Sequence, residues 1–232
     1  MTLFDDIRGI ATTVAVPHHE PPSTVLRRRI VVVVVLVGGG ALLGYSLTRR
    51  PGDESFYWLT LALAAVWALG AFTSGPLHLG SVRFRGRNQR PVITGTAVGL
   101  ALGGLFLVGG LAAREIPGVR ESVVRVLDFA NHGPLVLVVF ITVINGIAEE
   151  LFFRGALYTA LGKRYPAVVS TVIYVVVTSA ATGNPMLGVA AVIVGTVCAW
   201  ERRATGGVLA PTLTHFFWGL VMVLALPPVF GV

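Results

Sequence analysis

Two adjacent carboxylates and an arginine occupy the part of this sequence that can least easily hold charge. Glu149, Glu150 and Arg154 follow an apolar run that begins near Phe140, with Leu151, Phe152 and Phe153 between them. In a membrane-spanning helix a central charge costs about 2.5–3.5 kcal/mol, so three unpaired charges would cost roughly 8–10 kcal/mol. The large apolar residues of the same stretch return only about 0.3–0.6 kcal/mol each, some 4–7 kcal/mol in all. The helix is therefore marginal unless its charges are paired or face a polar cavity. Glu150 and Arg154 stand four residues apart, the spacing of an intrahelical ion pair. Thr142, Asn145 and Glu149 share a second face as one polar stripe, which leaves Glu149 without a basic partner on its own helix. Carboxylates in apolar surroundings hold protons more tightly, a property that suits a general base near neutral pH. Glu149 can thus be read as a general base, a metal ligand or a proton relay; the alternative is a buried network that only holds helices together. Acids inside a membrane helix favour a functional reading.

A second group lies near the C-terminus, in the run from Pro211 through Thr212, Thr214 and His215 to Gly219. A lone histidine among apolar residues is usually a satisfied core residue, but here another span carries an acid without a partner. Thr171, Tyr174, Thr178 and Thr182 recur at helical spacing and line one face with hydroxyls. That face either lines the same cavity as Glu149 or serves as an ordinary helix interface. His78 and His132 read as interface residues near span ends. Two histidines four apart around a glutamate, the zinc-protease spacing, do not occur. Asp5, Asp6, His18 and His19 could bind a metal but read as solvated tail residues. Cys198, the single cysteine, reads as a small buried hydrophobe.

The elements that must position these groups are membrane helices. Of 232 residues, 54% are hydrophobic and 12% charged, and the mean hydropathy is +0.79. A soluble domain is about a quarter charged, so too few polar residues remain to cover a water-facing surface. The predicted architecture is an all-α, polytopic bundle of about seven spans, near 30–48, 56–80, 92–112, 134–157, 165–182, 185–200 and 206–228. An amphipathic surface helix is predicted within 113–133. Asn184 and Pro185 make the turn into the sixth span. The chain divides into a flexible cytoplasmic tail (1–26), N-terminal transmembrane helices (27–128) and a core that carries the candidate site (129–232). Seven spans with the N-terminus inside put Arg8, Arg27, Arg28, Arg29, Arg83, Arg85, Arg87, Arg90, Lys163, Arg164, Arg202 and Arg203 in the cytoplasm. Arg49, Arg50, Arg114, Arg120 and Arg125 fall outside, so the positive-inside rule favours a cytoplasmic N-terminus. The net charge of +7 arises from these interhelical clusters and not from a nucleic-acid-binding face.

The sequence Glu149-Glu150-Leu-Phe-Phe-Arg154 resembles the first motif, Glu-Glu-x-x-x-Arg, of the CPBP family, the CAAX-protease and bacteriocin-processing (Abi) intramembrane proteases. Pro211 to His215 resembles the start of the third motif, His-x-x-x-Asn/Asp, and the stretch from Arg202 resembles the approach to that histidine. The likeness covers roughly residues 130–225. It implies a helical bundle around a cavity open to membrane and cytoplasm, with a CPBP-like core. It also implies hydrolysis of a membrane-embedded or lipid-anchored peptide, with membrane lipids as the other partner, in a bacterial inner membrane. Glu149 would activate the attacking water. His215 would hold the water or the developing oxyanion, with Glu150, Arg154, Tyr174, Thr178 and Asn145 in support. The resemblance leaves the cofactor open: zinc or another divalent metal on Glu149 and His215, or none.

Two positions depart from the pattern. The second motif, Phe-x-x-x-His, reads here Tyr174-Val-Val-Val-Thr178, and the Asn/Asp of the third is Gly219. A hydroxyl is a poor metal ligand, and glycine offers no side-chain donor to an oxyanion. Losing one such donor typically costs about 2.7–4 kcal/mol. The departures motivate a second reading, a pseudoprotease that keeps the cavity as a scaffold. A proton-coupled carrier would also use intramembrane acids, but neither an inverted repeat nor paired broken helices is evident.

Overall fold

The computed structural model describes residues 8–10, 12–15 and 20–232. Asp5, Asp6, His18 and His19 lie outside the described residues. From Pro22 onward the chain forms eight helices and one hairpin: α1 (Pro22–Ser46), α2 (Glu54–Ser74), β1 (Val82–Phe84), β2 (Arg87–Gln89), α3 (Val92–Ala113) and α4 (Pro117–Asn131). Then come α5 (Leu135–Ala160), α6 (Pro166–Thr182), α7 (Pro185–Thr205) and α8 (Leu209–Phe230). The architecture is an all-α membrane bundle. Six of the helices are long and apolar enough to cross a membrane, and α6 is a shorter apolar helix. Its 17 residues put it at the lower limit for a span.

Several boundaries differ from the expected ones, each for a local reason. Helix α2 stops at Ser74, because Gly75 takes φ +152° and Pro76 follows. The residues expected to complete that span instead lead into the hairpin, where Val82 pairs with Gln89 and Phe84 with Arg87. Arg85 and Gly86 at its tip both have positive φ, the signature of a tight two-residue turn. Helix α7 runs five residues past the expected end at 200, because the charged pair Glu201 and Arg202 is buried in the bundle. Gly206, left-handed at φ +73°, ends it. Near the N-terminus α1 starts at Pro22, within the expected tail. Arg28 is fully buried; it pairs with Glu20 and donates to Ser74 Oγ at 3.0 Å and to the Pro76 carbonyl at 3.0 Å. The Ala15 N–H donates to the Arg203 carbonyl at 2.9 Å. These contacts tie the described tail residues to the bundle.

The bundle has two ends. One gathers the start of α1, the hairpin, the end of α5 and the α7–α8 turn: Arg29 Nε donates to the Ala160 carbonyl, Ser81 N–H to Thr205 and Val208 N–H to His78. At the other end Asn184 caps α7, accepting from Met186 N–H at 2.9 Å, and donates to the Ser122 carbonyl of α4 at 2.8 Å. Helix α4 is amphipathic, as its spacing predicts, and turns Val123, Val126 and Leu127 inward.

The pair α3–α8 is the most extensive helix contact, and it sets the position of His215. Lipid is as apolar as leucine, so membrane helices gain by close packing of small residues rather than by leaving solvent. A β-carbon on Gly95 would stand 2.6 Å from the Ala210 carbonyl oxygen, and one on Gly99 the same distance from that of Thr214. Thr214 Oγ1 donates to the Gly95 carbonyl at 3.0 Å and pins α8 in register. Gly99→Leu is therefore expected to destabilise the fold by about 1–3 kcal/mol and to lower Tm in detergent. Gly104→Leu, at a position with nothing within 4 Å of the added carbon, leaves Tm unchanged.

Candidate active site

Glu149 and Glu150 close the regular part of α5, and a π-helical turn, Leu151–Leu157, follows at once. Such turns widen a helix and often mark functional positions. This one sends Phe152, Phe153 and Arg154 into the core, all essentially unexposed. Trp67 of α2, Phe152, Phe153 and Tyr174 of α6 make a continuous series of ring contacts, with centroids 4.7, 5.2 and 4.9 Å apart. That aromatic wall fixes both α6 and the turn.

Arg154 is the cation of the site. Its guanidinium stands 3.1 Å from Glu150 Oε1 with both side chains fully buried. It donates to the Gly195 carbonyl at 3.0 Å and lies 4.6 Å from the centre of the Tyr174 ring, a cation–π contact. A β-carbon on Gly195 would come within 3.2 Å of the guanidinium and 3.1 Å of the Tyr174 ring, so α7 keeps a glycine there. Arg202 reaches the same turn, donating to the Arg154 carbonyl at 2.8 Å, and lies 4.7 Å from the Tyr158 ring centre.

His215 joins this group through Glu150. Its Nδ1 is 2.9 Å from Glu150 Oε1, the oxygen that also faces Arg154. An ionised carboxylate can only accept, so opposite an ionised Glu150 it is Nδ1 that carries a hydrogen, and in a neutral ring Nε2 then presents its lone pair. The ring packs on Gly146, where a β-carbon would meet its Cδ2 at 3.0 Å. Glu149, half-buried on the neighbouring face of α5, accepts from the Tyr174 hydroxyl at 2.9 Å. It lies within electrostatic range of both His215 and Arg154. The direct hydrogen bond of His215 thus goes to Glu150, while Glu149 is bound to Tyr174.

The other expected residues fall in different places. Asn145 donates to the Ile141 carbonyl at 2.9 Å and the Thr60 carbonyl at 3.2 Å. Thr171 donates to the carbonyls of Ala167 and Gly195, and Thr182 accepts from the Asn184 N–H at 3.3 Å. Thr178, half-buried one turn beyond Tyr174, takes no part in the network among the described residues. Gly219 faces Thr142 and has room for a β-carbon, whose nearest neighbour would be 3.5 Å away. His78 and His132 stand apart from the group, at opposite ends of the bundle.

Sequence reasoning missed Glu201, buried beside Thr214 and within electrostatic range of Glu150. It also missed Gly146 and Gly195, which make room for the ring and the guanidinium. An acid next to Arg202 and Arg203 reads as a loop residue; only the continuation of α7 reveals its burial. Cys198 is fully buried, its thiol near the Pro211 carbonyl.

A metal fits this donor set poorly. Catalytic zinc takes three protein ligands. Among the described residues no group of three His, Cys, Asp or Glu side chains is placed to hold a metal ion, and His215 Nδ1 is already engaged by Glu150. What the arrangement offers is a carboxylate able to take a proton, an imidazole nitrogen able to orient water, and a buried ion pair that holds the imidazole.

Breaking a buried ion pair by removing one partner typically costs about 3–5 kcal/mol. Arg154→Met is expected to lose that much stability in a thermal or denaturant melt. Tyr174→Phe, which removes one hydrogen bond to a carboxylate, is expected to lose about 1.5–3 kcal/mol.

No curated protein and no solved structure matches this chain. Residues 131–221 match the family model described as type II CAAX prenyl endopeptidase Rce1-like. The matched segment holds Glu149, Glu150, Arg154, Tyr174 and His215, and its similarity to this protease family is consistent with the CPBP resemblance of the motifs.

Proposed function

We propose that this protein is a CAAX-protease-like intramembrane endopeptidase, which hydrolyses a membrane-embedded or lipid-anchored peptide with water activated by Glu149. The observation that carries the reading is the convergence of three helices on one polar group: the acids and Arg154 of α5, Tyr174 of α6 and His215 of α8. In this reading Glu149 takes the proton of the attacking water. His215 Nε2 orients that water, and Glu150 fixes the ring. Tyr174 holds Glu149 in place and can pass a hydrogen bond to the developing oxyanion. The proton on Glu149 then goes to the leaving amine, which balances the step.

A cocktail of internally quenched apolar peptides, presented to the purified protein in nanodiscs, tests the reading. Wild type is expected to cleave at least one. Removing a general base costs about 10²–10⁴ in rate, so Glu149→Gln is expected to lose turnover on that scale. Equal turnover in both would remove the enzyme reading.

A second reading, a pseudoprotease that binds a partner peptide without cutting it, is favoured by Thr178 and Gly219. The double variant Thr178→His, Gly219→Asn separates the two. An oxyanion donor is worth on the order of 10²–10³ in rate, and position 219 has space for the side chain's first atom. A gain toward that magnitude over wild type supports a hydrolytic scaffold weakened at two positions. No turnover in wild type or the double variant favours the scaffold.

We further propose that the end carrying the hairpin and the start of α1 faces the cytoplasm of a bacterium, the orientation that the positive-inside count supports. In a Cys198→Ala background, single cysteines at Arg85 and Arg114 are expected to label from opposite sides of the membrane, Arg85 from inside. Labelling of both from one side overturns this topology.

A further inference from the structure

A cavity of about 600 Å³ lies between α4 and the bundle, bounded by α2, α3, α5, α7 and α8. It is a different space from the site: neither Glu149 nor His215 lines it, and its lining contains no charged side chain among the described residues. The volume is within the range of pockets that enclose a drug-sized ligand. Its walls are apolar, including Leu105, Phe106, Ile193 and Leu226. An apolar hollow of this size forfeits the dispersion contacts that close-packed walls would gain.

Its polar side chains are few, and three of them carry a buried atom without a partner. Asn145 spends both amide hydrogens on the carbonyls of Ile141 and Thr60, which leaves its Oδ1 buried without a donor. Trp218 Nε1 is buried without an acceptor. Tyr57, itself only 8% exposed, has a hydroxyl without a partner. All three residues line the cavity. Native structures leave few buried polar atoms unpaired, and a membrane interior offers no water to satisfy them.

The geometry points to a binding site for an uncharged amphiphile: an apolar chain that bears a hydroxyl or secondary amide, bound through Asn145 and Trp218. One unpaired acceptor and one unpaired donor complement a group that both donates and accepts. The absence of charge in the lining excludes a carboxylate, phosphate or ammonium head, since a buried charge without a partner is far costlier than a buried dipole. Placement follows from the helices. Trp218 stands one turn beyond His215 on α8, its ring 5.5 Å from the imidazole, and Asn145 one turn before Glu149 on α5. The chain extends from there along α3 and α7, beneath Val123, Val126 and Leu127 of α4, and completes the burial of that helix's apolar face.

A diazirine-bearing hexadecanol tests the site, in nanodiscs that carry the Glu149→Gln chain. Binding is then read apart from any turnover, and its failure leaves the hydrolytic reading standing. Saturable photolabelling of cavity-lining peptides of α3 and α7 is expected. Unlabelled hexadecanol should compete at about tenfold lower concentration than hexadecane, the factor set by one net hydrogen bond, and a hexadecyl ammonium ion should compete less well than hexadecanol because its charge finds no partner. Trp218→Phe should weaken labelling by about tenfold, while Trp58→Phe, on the exposed surface, should not. Gly109→Phe, which adds a ring where a β-carbon meets nothing within 4 Å, should block labelling while Tm is kept. Labelling spread over the outer surface, unchanged in Trp218→Phe and Gly109→Phe, overturns the proposal, as does equal competition by hexadecane.

Discussion

Glu150 meets two partners on one oxygen, the guanidinium of Arg154 as an ion pair and the imidazole of His215 as a hydrogen-bond donor, and its side chain is fully buried. In hydrocarbon such a carboxylate is tolerable only while both partners hold. The pair with Arg154 is internal to α5, but the bond to His215 spans two helices 65 residues apart in sequence. The electrostatic demand of one side chain thereby becomes a demand on tertiary structure: α8 must sit at the right height and rotation. The same bond turns Nδ1 of His215 toward Glu150 and leaves Nε2 as the ring's other nitrogen, the one the proposed function uses.

Much of the remaining architecture serves that height and rotation. Glycines at 95 and 99 let α8 approach α3 at backbone distance, and Thr214, next to His215, is hydrogen-bonded across the gap. Gly146 admits the imidazole against α5, and Gly195 admits the guanidinium against α7. The aromatic series from Trp67 to Tyr174 sets α6 from the other flank. Tyr174 therefore supplies a ring to Arg154 and a hydroxyl to Glu149 at once. Small residues provide proximity and large ones provide orientation, a division that suits a solvent in which burying apolar surface gains little.

The costliest residues were the most legible. Glu149, Glu150, Arg154 and His215 stand out because each is expensive in an apolar helix, and the spacing of Glu150 and Arg154 implies their pairing. Which acid meets the histidine was not legible. It depends on the rotation of α5 about its axis, and the π-turn that follows Glu150 changes the period on which such reasoning relies. Glu201 and Arg202 were hidden for the opposite reason, since charges beside a glycine pair read as a loop until α7 is seen to continue. The spans themselves follow from hydropathy, but the hairpin between α2 and α3 does not. Its strands are three residues each, too short to leave an alternating pattern, and only the turn at Arg85 and Gly86 marks it.

The contact of α8 with α3 also bears on the order in which the molecule can be made. The chain leaves the ribosome with α3 well ahead of α8, so the groove at Gly95 and Gly99 exists before anything can fill it. Throughout that interval Glu150 has Arg154 but no imidazole, and Glu149 has no histidine nearby. The nascent chain therefore lacks the convergence on which the proposed chemistry rests. The polar group is completed when the closing helix enters the bilayer and docks, so that biogenesis itself withholds the proposed site until its last wall is in place.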